Sequence, residues 1–197
     1  MSPPKFILQF PKNSGFALLA GAGISINSKI PGCNGIIKIL KEQYPEKLKQ
    51  NSQYNYDEAF NFIWPGLNHC SDRRRFFEDL IAGKNISLEH KKIAHLVNRG
   101  FFNVIFTPNF DHFIELSLLG QSSRPFRVHL YDEDAIPSNY VDTMIHIFKL
   151  HGDFLFDDLA NFPQEMVQRI NKNMWESFHD YLTGKSLIIL GFSGRDD

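Results

Sequence analysis

A glycine-rich turn after a short apolar segment is the first stretch of this sequence whose residue types could do chemistry. Phe16–Ala20 is a continuous apolar run, typical of a strand buried on both faces. Gly21-Ala22-Gly23 follows directly, and Ser25 adds a hydroxyl two residues later. Backbone N–H groups in such a turn can point at an anion, and a helix beginning near Ile24 would add the positive end of its dipole. The turn therefore predicts a phosphate site.

Two features separate this turn from the usual dinucleotide fingerprint. That fingerprint has a third glycine three residues after the second, where this chain has Ile26, and an acidic residue ending a second strand about 20 residues later. Lys41 and Glu42 stand near that distance, within a segment whose spacing favours a helix. An ordinary Rossmann dehydrogenase is therefore disfavoured, and a tight strand-to-helix turn without a ligand remains an alternative.

Three further apolar runs also end in small or polar residues. They are Phe101–Phe106 followed by Thr107-Pro108-Asn109-Phe110-Asp111, Met144–Leu150 followed by His151-Gly152-Asp153, and Ser186–Leu190 followed by Gly191-Phe192-Ser193-Gly194. Ligands bind outside the carboxyl ends of the strands in open α/β sheets, so the four clusters predict one site at a single sheet edge. The alternatives are a plain turn-forming role for Asn109 and a structural hydrogen-bonding role for His151.

In their order and approximate spacing, these clusters resemble the sirtuin fold family over about residues 15–195. The resemblance rests on Gly21-Ala22-Gly23-Ile24-Ser25 with Ile30-Pro31, Thr107-x-Asn109-x-Asp111, His151-Gly152 and Gly191-x-Ser193. It implies an α/β fold, a Rossmann-like doubly wound parallel sheet with an inserted helical module. It also implies NAD⁺ binding and cleavage of the bond between nicotinamide and ribose.

The resemblance further implies a role for each matched residue. Asn109 would orient water or ribose hydroxyls near C1′, and Asp111 would recognise the nicotinamide carboxamide. His151 would act as a base, for which an ordinary histidine pKa near 6.5 is suitable at neutral pH. The pyrophosphate would be held by Gly21, Ala22, Gly23, Ser25 and Ser193, and Pro31, Thr107 and Gly191 complete the expected cofactor-binding set.

Departures from the protein-deacylating sirtuins narrow the expected function. Those proteins usually carry four zinc cysteines after the His-Gly step, whereas this chain has no cysteine after Cys70. Lys29–Asn34 and Thr107–Asp111 also differ from the usual Gly-Ile-Pro-Asp-Phe-Arg and Thr-Gln-Asn-Ile-Asp. The chain is thus similar to sirtuin-like NAD hydrolases of bacterial anti-phage systems, including those that work with short prokaryotic Argonautes. No zinc is expected. The alternatives are a protein deacylase and a non-catalytic sensor that binds NAD or ADP-ribose.

Composition agrees with an ordinary globular protein. The 197 residues suffice for one α/β domain, and a net charge of -1 gives no overall attraction to nucleic acid or anionic membranes. Cys33 and Cys70 are far apart and support neither a disulfide framework nor a cysteine zinc site. The sequence shows neither a signal peptide nor an apolar stretch of membrane-spanning length, so a cytoplasmic location without membrane contact is expected.

Residues 35–100 predict a helical layer or subdomain inserted after the first strand. Ser87 is an acceptable N-cap, but with His90 in place of Glu or Gln the spacing does not predict a capping box. The run Arg73-Arg74-Arg75 is interpreted as a solvated helix face. Val128–Tyr131 has the composition of a further short strand, and apolar residues recur at helical spacing from Met166 to Tyr181.

The sequence stops directly after a strand-end cluster, where a doubly wound pattern would continue with a helix and another strand. We therefore expect residues 1–197 to be the N-terminal part of a longer protein, truncated at the C-terminus. By the resemblance, activity would require a homo-oligomer or a larger defence complex.

Overall fold

A five-stranded parallel sheet forms the centre of the computed structural model, which describes residues 15–65, 69–130, 144–153, 158–159, 176 and 179–192. Its strands are β1 (Phe16–Ala20), β2 (Phe102–Thr107), β3 (Phe126–Leu130), β4 (Ile145–Lys149) and β7 (Ser186–Leu190). Strands β5 (Gly152–Asp153) and β6 (Asp158–Leu159) form a separate antiparallel pair. The order β3-β4-β2-β1-β7, with every neighbouring pair parallel, confirms the expected α/β Rossmann-like arrangement.

The apolar runs in the sequence correspond closely to these strands. β1 and β7 have the bounds that were predicted, and β2 and β4 differ from their predictions by a residue or so at the ends. Strand β4 is buried throughout, as expected of a parallel strand covered on both faces. Because all five strands run the same way, the residues that follow them lie at one edge of the sheet.

Helices flank the sheet and fill the long connection between β1 and β2. They are α1 (Cys33–Gln43), α2 (Tyr56–Ile63), α3 (Cys70–Ile81), α4 (Leu88–Asn98) and, after β2, α5 (Phe113–Gln121). The segment after the glycine turn differs from the prediction. It is a 3-10 helix over Ala22–Ser28, whereas the prediction was a helix beginning near Ile24. Lys29 ends it with a φ of 66°, which turns the chain towards Ile30-Pro31.

The inserted helices divide between two hydrophobic cores. Helices α1 to α3 share an aromatic core in which Phe60 stacks on Phe77 at a centroid distance of 5.6 Å, and Phe113 of α5 joins this core. Helix α4 instead packs with α5 against one face of the sheet, through residues such as Ile93 and Ile114. The helices between β1 and β2 therefore form a three-helix module and a separate crossover helix.

One prediction about this layer is wrong. Arg73 is wholly buried, while Arg74 is half-buried and pairs with Glu78 at 2.8 Å, and only Arg75 is exposed. Consecutive helical residues point about 100° apart, so three in a row cannot share a solvated face.

Several predictions lie outside the described residues. These are Ser193, most of the helical pattern at 166–181, and the C-terminal truncation. In the parts of the chain that are described, no helix is both long enough and apolar enough to cross a membrane.

Candidate functional site

A cleft of about 530 Å³ opens where the strands of the main sheet end. This volume lies within the range of small-molecule sites. Its lining includes seven of the predicted site residues: Ala22, Ser25, Pro31, Asn109, Asp111, His151 and Gly191. The helical module supplies the other wall, with Tyr54 and Phe77 among its residues. The topology thus brings together residues that are more than 100 positions apart in sequence.

Thr107 lies beneath the cleft and fixes the turn that follows β2. Its hydroxyl donates to the Ala20 carbonyl at 2.7 Å, which ties the end of β2 to the end of β1. The same oxygen accepts from the Asn109 backbone N–H at 3.1 Å. Thr107 therefore positions Asn109, and its predicted contact with a cofactor stays a prediction.

The glycines of the first turn pack against the turn that follows β7. The Gly21 and Gly23 N–H groups donate to the carbonyls of Leu190 at 2.9 Å and Gly191 at 2.8 Å. A Cβ atom on Gly21 or Gly23 would lie 2.7 Å from backbone atoms of the opposite turn. Glycine is thus required here by close backbone approach. Phosphate binding by this turn stays a prediction, and it would have to use groups other than these two N–H donors.

Ser25 is the centre of a hydrogen-bonded group that we call the cleft network: Ser25, His90, Asn109 and Asp111. The Ser25 hydroxyl donates to Asp111 Oδ2 at 2.7 Å, and the Asn109 Nδ2 group donates to Ser25 Oγ at 3.4 Å. Asn109 Nδ2 also donates to the Gly21 carbonyl at 3.3 Å. The other Asp111 oxygen accepts the Phe113 N–H at 3.1 Å, which fixes the carboxylate at the start of α5.

His90 joins this network from helix α4 and was not among the predicted site residues. Its Nε2 lies 3.2 Å from Ser25 Oγ, and the ring is fully buried. On its other side, Nδ1 accepts the Ser87 N–H at 3.3 Å, so His90 does complete a capping box with Ser87. The expectation of no capping box is therefore wrong, because an imidazole nitrogen can replace the carboxylate oxygen. Burial lowers the pKa of His90, although the Asp111 and Glu89 carboxylates oppose this effect.

Lys149, at the end of β4, supports the cleft network from below and was also missed. Its ammonium group is fully buried and lies 3.1 Å from Glu115 Oε1 and 3.5 Å from Asp153 Oδ2. It also donates to the backbone carbonyls of Asn109 and Asp111. Burial alone would lower the pKa of Lys149, but the neighbouring carboxylates outweigh burial and raise it. A charged lysine therefore holds the turn that carries both predicted site residues.

Asn109 presents the feature of the cleft that most directly indicates a ligand. The side chain is only 6% exposed, and its Oδ1 has no hydrogen-bond partner among the described residues. Buried polar atoms are normally paired, so a ligand or an ordered water is expected at this atom. His151 also lines the cleft, half-buried, with its ring centroid 5.9 Å from that of Phe110.

Asn109, Asp111 and His151 offer amide, carboxylate and imidazole groups to a ligand in the cleft. No group of three or more His, Cys, Asp or Glu side chains that could hold a metal occurs within the described part of the chain. This observation does not test the expectation that zinc is absent, which stays a prediction.

A comparison with known protein families adds independent support. The family model of the SIR2-like domain matches residues 103–197, a range that includes Asn109, Asp111 and His151. The match supports a sirtuin-like domain and indicates an NAD-related activity, since SIR2-like domains bind NAD and are usually NAD-dependent enzymes. No curated protein matches the chain.

Proposed function

We propose that this chain hydrolyses NAD⁺ at the bond between nicotinamide and ribose, giving nicotinamide and ADP-ribose. The observation that carries the proposal is the convergence of Asn109, Asp111 and His151 on one cleft, with the buried Asn109 Oδ1 lacking a protein partner among the described residues. The SIR2-like match over these three residues supports NAD as the ligand.

This reaction requires little of the protein beyond positioning the dinucleotide and a water molecule. The bond between ribose C1′ and the nicotinamide nitrogen breaks, and its electron pair neutralises the cationic ring as nicotinamide leaves. An oxocarbenium-like ribose develops and is captured by water, whose oxygen forms the new bond to C1′ while one proton is released. Holding the dinucleotide and a water molecule in line would supply most of the acceleration.

Each of the three residues suits one part of this reaction. Asn109 Oδ1 would accept a hydrogen bond from the attacking water or from a ribose hydroxyl. Asp111 keeps acceptor capacity on both oxygens beyond its bonds to Ser25 and Phe113, and would accept the carboxamide N–H of nicotinamide. His151 would take up the proton of the water or of a ribose hydroxyl.

Incubating the protein with NAD⁺ and separating the products by chromatography tests the proposal. We expect free nicotinamide and ADP-ribose without any acyl peptide. Asn109→Ala and His151→Ala should each abolish cleavage, with a loss of about 10²- to 10⁴-fold for the histidine. Asn61→Ala and His95→Ala remove the same side-chain types from exposed helix positions and should leave the rate unchanged. Full activity in both cleft variants would refute the site.

The two alternative functions, a protein deacylase and a non-catalytic sensor, predict different results. A protein deacylase would release nicotinamide only when an acylated peptide is present, and zinc removal by a chelator would abolish its activity. A sensor would bind NAD⁺ or ADP-ribose in a titration without cleaving either. We expect a chelator to have no effect.

For the biological role, we propose NAD depletion as an effector of anti-phage defence, with a homo-oligomer or a larger complex as the active form. The support is the sequence resemblance to sirtuin-like hydrolases of such systems. Measuring cellular NAD during phage infection of bacteria that express the full-length protein tests this role. Unchanged NAD in infected cells would contradict it.

A further inference from the structure

The Ser25 hydroxyl uses its whole hydrogen-bonding capacity inside the protein. A serine hydroxyl has one proton to donate and two lone pairs that accept. The proton is directed to Asp111 Oδ2 at 2.7 Å, and two nitrogen atoms, His90 Nε2 at 3.2 Å and Asn109 Nδ2 at 3.4 Å, face the lone pairs. This arrangement is self-consistent only if both nitrogens are donors.

The contacts on the far side of His90 require the same proton position. The backbone N–H of Ser87 can only donate, and it lies 3.3 Å from His90 Nδ1, so Nδ1 must be the acceptor. The Ser87 hydroxyl has one proton, which it can donate either to Nδ1, at 2.8 Å, or to the Ile24 carbonyl, at 3.4 Å. A neutral ring with its proton on Nε2 satisfies both sides at once, and the burial of His90 favours the neutral ring.

We propose that His90 is a positioning residue for the reaction in the cleft, because its Nε2 proton directs the Ser25 hydroxyl to Asp111. With the proton on Nδ1, Ser25 would donate to the bare Nε2, and Asp111 Oδ2 would lose the Ser25 donor, while Oδ1 would keep the Phe113 N–H. The same network sets the orientation of Asn109, whose Nδ2 faces Ser25 and Gly21 and whose Oδ1 therefore remains for a ligand. His90 itself touches no substrate in this scheme. The effect on activity rests on the proposed NAD⁺ hydrolysis, whereas the proton position does not.

Two substitutions separate this role from helix capping. In His90→Gln, the amide nitrogen can occupy the place of Nε2 and donate to Ser25. In His90→Asn, the side chain is too short to reach Ser25, but its oxygen can occupy the place of Nδ1 and accept the Ser87 N–H. We expect the Gln variant to keep kcat/KM for NAD⁺ within about threefold of the natural protein, and the Asn variant to lose about 10²-fold through misplaced groups.

Thermal unfolding of the same two variants provides a readout that a purely structural role would change differently. Both variants can retain the cap, since Gln at this position completes a capping box and the Asn oxygen can accept the Ser87 N–H. Their unfolding midpoints should therefore be similar, while their activities differ by about 10²-fold. If the two variants lose activity equally, or if the loss of activity follows the loss of stability, His90 is a capping residue only and the proposal fails.

The position of the proton can be measured without any enzymatic activity. Imidazole ¹⁵N chemical shifts of the natural protein at pH 7 should show His90 protonated on Nε2 and not on Nδ1. A ring protonated on Nδ1, or on both nitrogens, overturns the proposal even if NAD⁺ is cleaved. If the natural protein does not cleave NAD⁺, the proposed function fails, and this measurement alone decides the inference about His90.

Discussion

Within the described part of the chain, two clusters of buried polar side chains contain histidine, and they differ in their surroundings. The cleft network links His90 to Ser25, Asn109 and Asp111. The second cluster, which we call the histidine pair, consists of His129 on β3 and His146 on β4, stacked at a centroid distance of 5.2 Å. His129 Nε2 and His146 Nδ1 lie 2.9 Å apart, and the Tyr181 hydroxyl lies 3.3 Å from the latter atom.

Burial lowers the histidine pKa in both clusters, so a low pKa does not by itself identify the functional one. The pKa values of His129 and His146 fall to about 4, in each case chiefly because burial disfavours the charged ring. The histidine pair packs against Phe148 and Tyr181 and is not part of the cleft lining. The cleft network borders the cavity and leaves a buried oxygen without a partner among the described residues. Access to a cavity separates a candidate site from a structural cluster.

The strongest way to break the cleft network is to remove its support. Lys149→Met would leave Glu115 buried without this cation, remove one ion pair of Asp153, and release the carbonyls of Asn109 and Asp111. Breaking a buried ion pair on one side costs about 3–5 kcal/mol. We expect a loss of this size in urea unfolding, together with loss of NAD⁺ cleavage.

An exposed lysine supplies the matched control. Lys38 pairs with Glu42 at 4.0 Å on the surface of α1, and surface pairs contribute roughly 0–1 kcal/mol. Lys38→Met should therefore unfold at nearly the natural urea concentration. Equal effects of the two substitutions would show that Lys149 does not support the turn.

The histidine pair should dominate the acid sensitivity of the fold. The pKa values of its members are depressed to about 4 in the folded protein, whereas an unfolded histidine has a pKa of about 6.5. The unfolded chain therefore binds protons first as the pH falls below 6.5, and stability declines between about pH 6.5 and pH 4. We expect a loss of about 2–4 kcal/mol between pH 7 and pH 5, measured by urea unfolding at each pH.

A double variant of the histidine pair shows how much of this loss of stability at low pH comes from the pair. His90 also has a lowered pKa and contributes in the same direction, so the pH profile of the natural protein alone does not separate the clusters. In the double variant His129→Phe with His146→Phe, the decline should shrink by more than half, while His90→Gln should reduce it less. The opposite ranking would place the acid sensitivity in the cleft.

The sequence was sufficient to predict which residues converge wherever the topology alone brings them together. Asn109, Asp111, His151 and Gly191 each follow an apolar run, and parallel strands end at one edge, so their convergence follows from the pattern of hydrophobicity. The 3-10 helix after Gly21 was not predicted, because the same short segment suits either helix type. For Ser25, the position was predicted but the hydrogen bonds were not.

The site residues that were not predicted, His90 and Lys149, contact groups on other helices, strands or turns. His90 contacts Ser25 from 65 positions away, and the capping-box pattern considers only Glu or Gln at its position. Lys149 did leave a signal. Burying a lysine at the end of an otherwise apolar strand is costly. The position therefore indicates that carboxylates or carbonyls lie within hydrogen-bonding distance of its ammonium group.

A single methyl group added where the turns after β1 and β7 pack together should destabilise the protein. In Gly21→Ala, the new Cβ would lie 2.7 Å from the Gly191 carbonyl oxygen and 2.7 Å from Phe192 Cα, both backbone atoms that cannot rotate away. We expect a loss of about 1–3 kcal/mol in stability, as for other overpacked sites, and slower NAD⁺ cleavage because the ends of β1 and β7 must separate. Unchanged unfolding and unchanged rates would show that the turns part without effect on the cleft.

The same substitution in helix α5 should have the opposite, and smallest, effect. Gly120 lies within α5, is exposed, and a Cβ built on it meets no atom within 4 Å. Alanine is favoured over glycine inside a helix by about 0.5–1 kcal/mol, so Gly120→Ala should raise the unfolding midpoint. The cleft network should not respond, because among the described residues its hydrogen bond to α5 lies at the first turn, where the Phe113 N–H donates to Asp111. A change in NAD⁺ cleavage with this variant would show that the stability of α5 affects the cleft. The candidate site and the rest of the fold would then be less independent than these contacts indicate.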